Sequence, residues 1–194
     1  MNPLLLKIGF FVIVVGTGII RYPHEKRNKA NQVTTDKKKG LEQLLLFFVF
    51  LGMMILPMLY IFTNWLSFAD YQLPVLWQVL GLVLIVPGLW LFYRSHYDLG
   101  RNWSVSLEIR EGHNIVNSGV YKLIRHPMYL AIFLLVIAQA LLLNNYVAGP
   151  AGLLFFGLLY LLRVGREEKM MIQQFGEEYV AYMKSTKRII PYLL

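Results

Sequence analysis

Long apolar stretches separated by short polar connections dominate this chain. Five apolar runs cover roughly residues 3–20, 41–62, 73–93, 128–143 and 147–162. Each of the first three has 18 to 22 residues, and at about 1.5 Å per helical residue that length crosses a hydrocarbon core of about 30 Å. The pattern therefore predicts an all-α, polytopic integral membrane protein with five transmembrane helices.

The last two runs are shorter, and the connection between them is tight. Each has about 16 residues, close to the lower limit for a membrane-spanning helix. Asn144-Asn145 and Gly149-Pro150 lie between them, and these residue types favour turns. We expect a helical hairpin, and from length alone both a fully spanning pair and a re-entrant pair fit.

Basic side chains are concentrated in three segments. There are seven Lys and Arg in 21–40, five in 94–127 and six in 163–194, whereas 63–72 and 144–146 contain none. Five spans place the three basic segments on one side of the membrane and the two connections without Lys or Arg on the other. Because basic loops stay in the cytoplasm, we expect the N-terminus outside and the C-terminus inside.

Composition supports the membrane interpretation. The chain has 194 residues, 57% of them hydrophobic, a net charge of +8 and no cysteine. A basic protein can bind nucleic acid, but charges clustered between apolar runs indicate a membrane protein, so no nucleic-acid partner is expected. The first run carries Lys7 and lacks an Ala-x-Ala site, which favours a retained span over a signal peptide. Residues 1–194 are predicted to form one domain.

Metal and soluble-enzyme chemistry are not expected from the motifs. His24, His96, His113 and His126 include no pair spaced four apart, so no metal site is predicted. No phosphate-binding loop or nucleophile elbow is present either. His24 and His96 lie in basic or interfacial surroundings, and we assign neither a function.

Candidate ligand-binding groups occur where the loop 94–127 meets the fourth apolar run. Pro127 suits the first turn of a helix, whose open N–H groups attract anions. His126 and Tyr129 flank that turn. His113 precedes Ile115 and could lie against a flat ring. A polar cap that only anchors the helix fits the same pattern equally well.

Ionisable groups also lie at the edges of the apolar runs. Arg163 and Glu167 are four apart and thus share one helix face. A guanidinium at the hydrocarbon boundary attracts a carboxylate or phosphate, although a simple ion pair explains the same spacing. Tyr179 and Tyr182 follow, an aromatic pattern that packs on a loop or accepts an adenine ring or a sulfonium. Glu42 begins the second run, where it can reach the interface.

Taken together, the motifs of the C-terminal half resemble one family. They are Gly119-Val120-Tyr121, Arg125-His126-Pro127-x-Tyr129, Arg163-x-x-x-Glu167-Glu168 and Phe175-Gly176-x-x-Tyr179-x-x-Tyr182. In order and spacing they are similar to the isoprenylcysteine carboxyl methyltransferase family over residues 95–194, and the small size resembles a compact prokaryotic member.

That resemblance implies transfer of a methyl group from S-adenosylmethionine to the C-terminal carboxylate of a prenylated cysteine, with the cytoplasmic loop and C-terminal helix forming the cofactor site. It divides the chain into three N-terminal spans, 1–93, and a catalytic part, 94–194. Arg163, at the reacting carboxylate, and Glu167 are the implied catalytic residues. The implied cofactor contacts are His113, Asn114, Ile115, Val116, Tyr121, His126, Pro127, Met128, Tyr129 and Glu167.

Three other functions remain open at this stage. Related membrane enzymes methylate phospholipid head groups, and Glu167-Glu168 could serve the ammonium of such a substrate. A sterol-type reductase has a similar tail, and a non-catalytic scaffold could bind anionic lipid through the basic loops. The predicted partners are the lipid bilayer and a prenylated protein C-terminus or a small prenylated lipid, and the predicted oligomeric state is a monomer.

Overall fold

Helices make up most of this computed structural model. It describes residues 1–28, 33–36, 40–103, 108–110 and 114–190, and within these ranges side chains are described except at 27, 28, 33–36, 101 and 108–110.

Three long helical segments form the N-terminal half. Helix α1 spans Pro3–Asn28. The second segment consists of α2 (Gly40–Phe50), a π-helical turn (Leu51–Ile55) and α3 (Leu56–Phe62). Helix α4 spans Val75–Leu99. The three apolar runs therefore become helices as predicted, and α1 and α4 continue past them into polar sequence.

The C-terminal half contains the predicted hairpin. Helix α5 spans Pro127–Leu142, α6 spans Ala151–Phe175 and α7 spans Glu177–Ser185. Gly176, with a φ of 56°, separates α6 from α7. This left-handed backbone conformation is accessible to glycine without the Cβ penalty.

Among the described residues, three helical segments are long and apolar enough to cross a membrane: Pro3–Lys26, Gly40–Phe62 and Val75–Leu99. Pro127–Leu142 is apolar but shorter. Helix α6 has 25 residues, but its second half carries Arg163, Glu167 and other charges. The helical membrane fold predicted from the sequence is thus confirmed in outline.

Close helix packing depends on small residues. Helix α4 packs against α1 and along α5, where a Cβ atom on Gly88 would approach Leu135 to 2.6 Å. Helix α6 packs against α5 and α2. At the π-helical turn, a Cβ on Gly52 would lie 2.6 Å from the Ala151 carbonyl oxygen. Such small-residue contacts are typical of membrane helices, whose backbones approach closely.

The two connections without Lys or Arg, 63–72 and 144–146, meet at one end of the molecule. Asn145 is fully buried and donates through Nδ2 to the Leu66 carbonyl at 2.6 Å and to Asp70 at 2.7 Å. Its Oδ1 accepts from the backbone N–H groups of Val147 and Ala148 at 3.0 Å. This arrangement agrees with placing 63–72 and 144–146 on the same side.

The structure also contains a feature that the sequence analysis did not predict. Strand β1 (Val33–Asp36) pairs antiparallel with β2 (Glu108–Arg110), with Asp36 opposite Glu108 and a register irregularity between Val33 and Thr35. This short sheet joins the segment before α2 to the loop before α5.

Candidate active site

The start of α5 is fixed by the C-terminal segment of the chain. Backbone N–H groups of Arg125 and His126 donate to the carbonyls of Lys187 at 2.7 Å and Arg188 at 2.9 Å. His126 is the residue before the helix and Pro127 occupies its first turn, where the missing N–H of proline costs nothing. The predicted helix start is therefore held from outside by the tail.

Two tyrosines link α7 to α4 through the intervening turn. The Tyr182 hydroxyl donates to the Tyr121 carbonyl at 2.6 Å, and the Tyr121 hydroxyl donates to the Ser95 carbonyl at 3.3 Å. Burial raises the pKa of Tyr182 to about 12, so its hydroxyl remains a neutral donor. The turn requires Gly119, whose φ is 58° and whose Cβ would overlap the Asp98 carboxylate.

Glu168 sits at the centre of a dense ion-pair cluster. It accepts from Arg125 Nη2 at 3.1 Å, from Arg188 Nη2 at 2.6 Å and contacts His126 Nε2 at 3.3 Å. Burial alone would raise the pKa of Glu168, but hydrogen bonds from His126 and Arg188 and the charge of Arg125 lower it to about 2. Arg125 also donates to the Met183 and Thr186 carbonyls. This cluster anchors α7 and the tail on α6.

Glu167 belongs to a second and looser cluster. Its Oε2 accepts from the Tyr129 hydroxyl at 2.6 Å and lies 3.8 Å from Arg163 Nε, while its Oε1 lies 3.9 Å from His126 Nδ1. The Glu167 side chain is 29% exposed, against 4% for Glu168. Successive helical residues point about 100° apart, so these neighbours face different surroundings.

A third carboxylate completes this second cluster from another helix. Glu42, in the first turn of α2, places Oε1 3.6 Å from Arg163 Nη1. The side chains of Glu42 and Arg163 are 3% and 11% exposed. The packing of α2 on α6 turns Glu42 into the protein, where Arg163 provides an opposite charge.

The second cluster borders a cavity of about 510 Å³, a volume typical of small-molecule and cofactor sites. Helix α6 contributes apolar, then cationic, then anionic groups to its wall. Phe156 and Leu159 are followed along one face by Arg163 and Glu167. The remaining wall includes apolar side chains of α2 and the π-helical turn, namely Leu46, Val49, Phe50, Met53 and Met54, and aromatic side chains around the tail, namely Trp103, Tyr121, Tyr179 and Tyr182.

Most of the residues that the sequence indicated converge on this cavity. Those that line it are Asn114, Ile115, Val116, Tyr121, His126, Met128, Tyr129, Arg163 and Glu167. Pro127 is buried at the start of α5 and is not among the lining residues, so its contribution is to the helix start. His113 lies outside the described residues.

Sequence reasoning missed several residues that line the cavity or lie directly beside it. Glu42 borders the site through Arg163, and His96, assigned no function above, lines the cavity with Arg21 and Asn102. One feature of the sequence could have indicated the pairing of Glu42. A carboxylate and a guanidinium at the edges of two apolar runs each have a high desolvation cost unless they pair with an opposite charge. No comparable signal marked His96 or Asn102.

Part of the chain matches a known protein family. The model of the isoprenylcysteine carboxyl methyltransferase family matches residues 79–173. That segment includes most of α4, the loop after it, α5 and most of α6, and thus Arg163, Glu167 and most of the residues that line the cavity.

Curated relatives carry the corresponding name. The chain is 32% identical to the human protein-S-isoprenylcysteine O-methyltransferase over 118 residues, 60% of this chain and 42% of the human protein. It is 27% identical to enzyme A of that name from Arabidopsis thaliana over 115 residues, 58% of each chain. The chain thus spans about half the length of these relatives.

A solved structure has the same fold. The match is to the eukaryotic intramembrane Ras methyltransferase ICMT, with a TM-score of 0.52, 23% identity, and coverage of 82% of this chain and 55% of that one. The alignment extends well beyond residues 79–173, so the likeness reaches into the helices of the N-terminal half.

Proposed function

We propose that this chain, whose residues 79–173 match the model of the isoprenylcysteine carboxyl methyltransferase family, transfers a methyl group from S-adenosylmethionine to the C-terminal α-carboxylate of a prenylated cysteine. The acceptor is a prenylated protein C-terminus or a small prenylated lipid. The active unit is the single domain 1–194, acting as a monomer. The proposal rests on the chemistry of the cavity around Arg163.

The single observation that carries this proposal is the order of groups along the cavity wall of α6. Phe156 and Leu159 offer apolar surface, Arg163 offers a cation, and Glu167 offers an anion. A prenylated cysteine has the matching order, a hydrocarbon tail ending in a carboxylate. Its tail fits the apolar wall of α2 and α6, and its carboxylate then reaches the guanidinium of Arg163.

The residues present also fit the methyl donor. S-adenosylmethionine supplies a methyl group on a positively charged sulfonium. Aromatic rings such as Tyr121 and Tyr182, together with the Glu167 carboxylate, provide the flat surfaces and negative charge that an adenosine and a cation require. The Tyr129 hydroxyl fixes Glu167 at 2.6 Å, so this carboxylate is oriented before ligand binds.

The chain has little covalent chemistry to perform in this reaction. A carboxylate has a pKa of about 3.5 and is already a nucleophile at neutral pH, so no general base is needed. Arg163 holds the carboxylate, and the cavity removes it from water. Alignment and desolvation of the reacting groups should provide most of the acceleration.

We further propose five membrane spans, with α5 and the apolar half of α6 as the fourth and fifth. The N-terminus then lies outside, and the active site and C-terminus face the cytoplasm. Support comes from the distribution of Lys and Arg along the sequence and from the contact of Asp70 with Asn145, which joins the two connections that lack basic residues at one end.

The structure weakens the argument for a phospholipid acceptor. That interpretation required Glu167 and Glu168 together to bind the ammonium of the head group. Glu168 instead accepts hydrogen bonds from Arg125 and Arg188 and is not among the residues that line the cavity.

The test compares methyl transfer to two acceptors and the effects of replacing two arginines of α6. Purified protein in micelles, labelled S-adenosylmethionine and N-acetyl-farnesylcysteine should give a base-labile methyl ester, whereas phosphatidylethanolamine should give none. Arg163→Ala should lower turnover by at least about a hundredfold and leave cofactor affinity within about threefold. Arg166→Ala is the matched control, because the Arg166 side chain donates to the Leu162 carbonyl of its own helix at 2.7 Å.

Three results would count against these assignments. A base-stable label on phosphatidylethanolamine would indicate amine transfer. Loss of cofactor affinity with retained turnover in Arg163→Ala would overturn the role of Arg163. Equal losses in the Arg166→Ala control would show a general effect on α6 rather than a specific one.

A further inference from the structure

A proline follows two residues after the π-helical turn at Leu51–Ile55 and changes its hydrogen bonding. In the π geometry the N–H group of Leu56 donates to the Leu51 carbonyl, five residues back. The next bond of this kind would join residue 57 to the Gly52 carbonyl. Residue 57 is a proline, which has no N–H group, so Pro57 cannot make this bond.

Gln139 of α5 supplies a donor in its place. Its Nε2 donates to the Gly52 carbonyl at 2.9 Å and to the Ala148 carbonyl of the α5–α6 connection, also at 2.9 Å. Gln139 is 2% exposed, and removing the donor of a buried hydrogen bond leaves its acceptor with a desolvation cost. Gly52 also lies so close to Ala151 that a Cβ atom would clash with the Ala151 carbonyl. The π-helical turn is thus fixed against both α5 and α6.

The residues before and after this turn have different surroundings. Among the described residues of the second helical segment, those that line the cavity are Leu46, Val49, Phe50, Met53 and Met54. Their spacing is that of one helix face. Beyond them, Met58 and Ile61 of α3 pack on the hydrophobic cluster that contains Phe10 of α1. Packed side chains therefore follow the cavity along this segment, and Met53 and Met54 lie at the boundary.

The distance from this boundary to the proposed reaction centre can be compared with the length of an acceptor. Glu42 lies 3.6 Å from Arg163 and marks its level on α2. Met53 and Met54 are eleven and twelve residues after Glu42, roughly 16–18 Å along the helix at about 1.5 Å per residue.

A prenyl chain has a length close to this distance. An extended carbon chain advances about 1.3 Å per bond, given bond lengths of about 1.5 Å. From the carboxyl carbon to the end of the chain, an extended farnesylcysteine then measures about 19 Å and a geranylgeranylcysteine about 24 Å. A slightly bent farnesyl chain therefore ends at the two methionines, whereas a geranylgeranyl chain exceeds the same space.

We propose that Met53 and Met54 form the end of the prenyl-binding part of the cavity and select a farnesyl chain over a geranylgeranyl chain. Gln139 is the positioning residue that fixes the turn carrying them. This inference rests on the proposed function, since it takes the acceptor carboxylate to lie at Arg163. Methionine side chains fit such a boundary because they are unbranched and adapt to irregular apolar surfaces.

The experiment measures the binding of acceptors of three lengths, separately from turnover. N-acetylcysteine carrying a geranyl, farnesyl or geranylgeranyl chain is titrated calorimetrically into protein with bound S-adenosylhomocysteine, in micelles of one composition. After correction for partitioning into the micelles, wild-type protein should bind the farnesyl compound about tenfold more tightly than the geranylgeranyl compound. Apolar pockets discriminate by about this factor or more when a chain differs by a single methylene.

Variants of three methionines test the boundary. Met54→Ala lengthens the apolar space and should bring the farnesyl and geranylgeranyl affinities within about threefold. Met54→Trp shortens it and should weaken farnesyl binding by about tenfold while geranyl binding stays within about twofold. Met58→Ala is the matched control, because it removes the same atoms from the packed cluster beyond the turn and should leave the ratio unchanged. If Met54→Ala does not fold, Met53→Ala makes the same test.

Gln139→Leu tests the positioning role. It keeps a similar volume and removes the donor to Gly52, so the ratio of farnesyl to geranylgeranyl affinity should fall to about threefold, together with a loss of stability. A purely structural role of Gln139 would lower stability and leave the ratio unchanged, as expected for Met58→Ala.

The outcomes separate this inference from the proposed function. Chain-length preference without methylation of any of the three acceptors would overturn the proposed function and keep the role of the methionines. Carboxyl methylation with equal affinities for the two longer chains, or with tighter binding of the longest, would overturn the inference alone. An equal change of the ratio in Met54→Ala and Met58→Ala would also overturn it. Absence of both binding and methylation would overturn both.

Discussion

Glu167 and Glu168 are adjacent on one helix and have opposite surroundings. Glu168 is 4% exposed, and its partners Arg125, Arg188 and His126 lie 2.6–3.3 Å away. Glu167 is 29% exposed, faces the cavity and lies 3.8 Å from Arg163. A charge whose bonding capacity is filled by the protein stabilises the fold, whereas one that the protein satisfies only in part can still bind a ligand.

The arginines show the same division. Arg125 donates to Glu168 and to backbone carbonyls of the tail, so it joins elements that are distant in sequence. Arg163 lies 3.6 Å from Glu42 and 3.8 Å from Glu167 and faces the cavity. The cluster around Glu168 is therefore expected to determine the stability of the fold, and the cluster around Arg163 and Glu167 is expected to determine turnover.

The largest expected effect on stability comes from Glu168. Glu168→Gln removes the charge that compensates a buried Arg125 and should lower the free energy of unfolding by about 3 kcal/mol. Glu167→Gln, with a more exposed side chain, should lower it by less than about 1 kcal/mol. Denaturant titration of both variants in micelles measures the difference. Equal losses would remove the distinction between the two glutamates.

Low pH should weaken the ion-pair cluster around Glu168 in the wild-type protein. The pKa of Glu168 is lowered from 4.5 to about 2, so its contribution is fully present above the unfolded value and is lost as pH falls from about 4.5 towards 2. The free energy of unfolding should decline across this interval more steeply in the wild-type protein than in Glu168→Gln. Parallel curves would show that another group is responsible.

A smaller effect is expected at Tyr129. Tyr129→Phe removes the 2.6 Å hydrogen bond to Glu167 and keeps the ring that packs against Phe156 and Tyr160. A hydrogen bond to a charged group contributes about 1.5 kcal/mol, so cofactor affinity should fall by about tenfold. Calorimetry with S-adenosylhomocysteine measures this, and Tyr160→Phe is the control. An unchanged affinity would show that Glu167 is oriented without Tyr129.

The helices could be predicted because their signals are local. The apolar runs appear as α1, α2 with α3, α4, α5 and α6, and the turn residues at 144–150 give the hairpin. The pairing of β1 with β2 could not be predicted, because it joins short strands far apart in sequence and neither carries a strong alternating pattern. No sequence pattern described above predicts the π-helical turn at Leu51–Ile55.

Within the site, motif residues were identified better than their partners. Arg163, Glu167, His126 and Tyr129 lie together as their shared motifs implied. Their roles toward the two ligands stay predictions. Glu42 was placed at the interface because a single sequence shows that a charge is near an apolar run, but not which neighbouring helix it faces.

The amino-acid sequence by itself determined the helical membrane class, the clustering of Lys and Arg in three segments and the set of motif residues, because these depend on hydropathy, spacing and residue type. Only the tertiary structure decided which carboxylate faces the cavity, which one anchors the tail, and that Glu42 of α2 meets Arg163 of α6. Those choices depend on helix rotation and close packing between distant segments, and a one-residue step on α6 changes the direction of a side chain by about 100°.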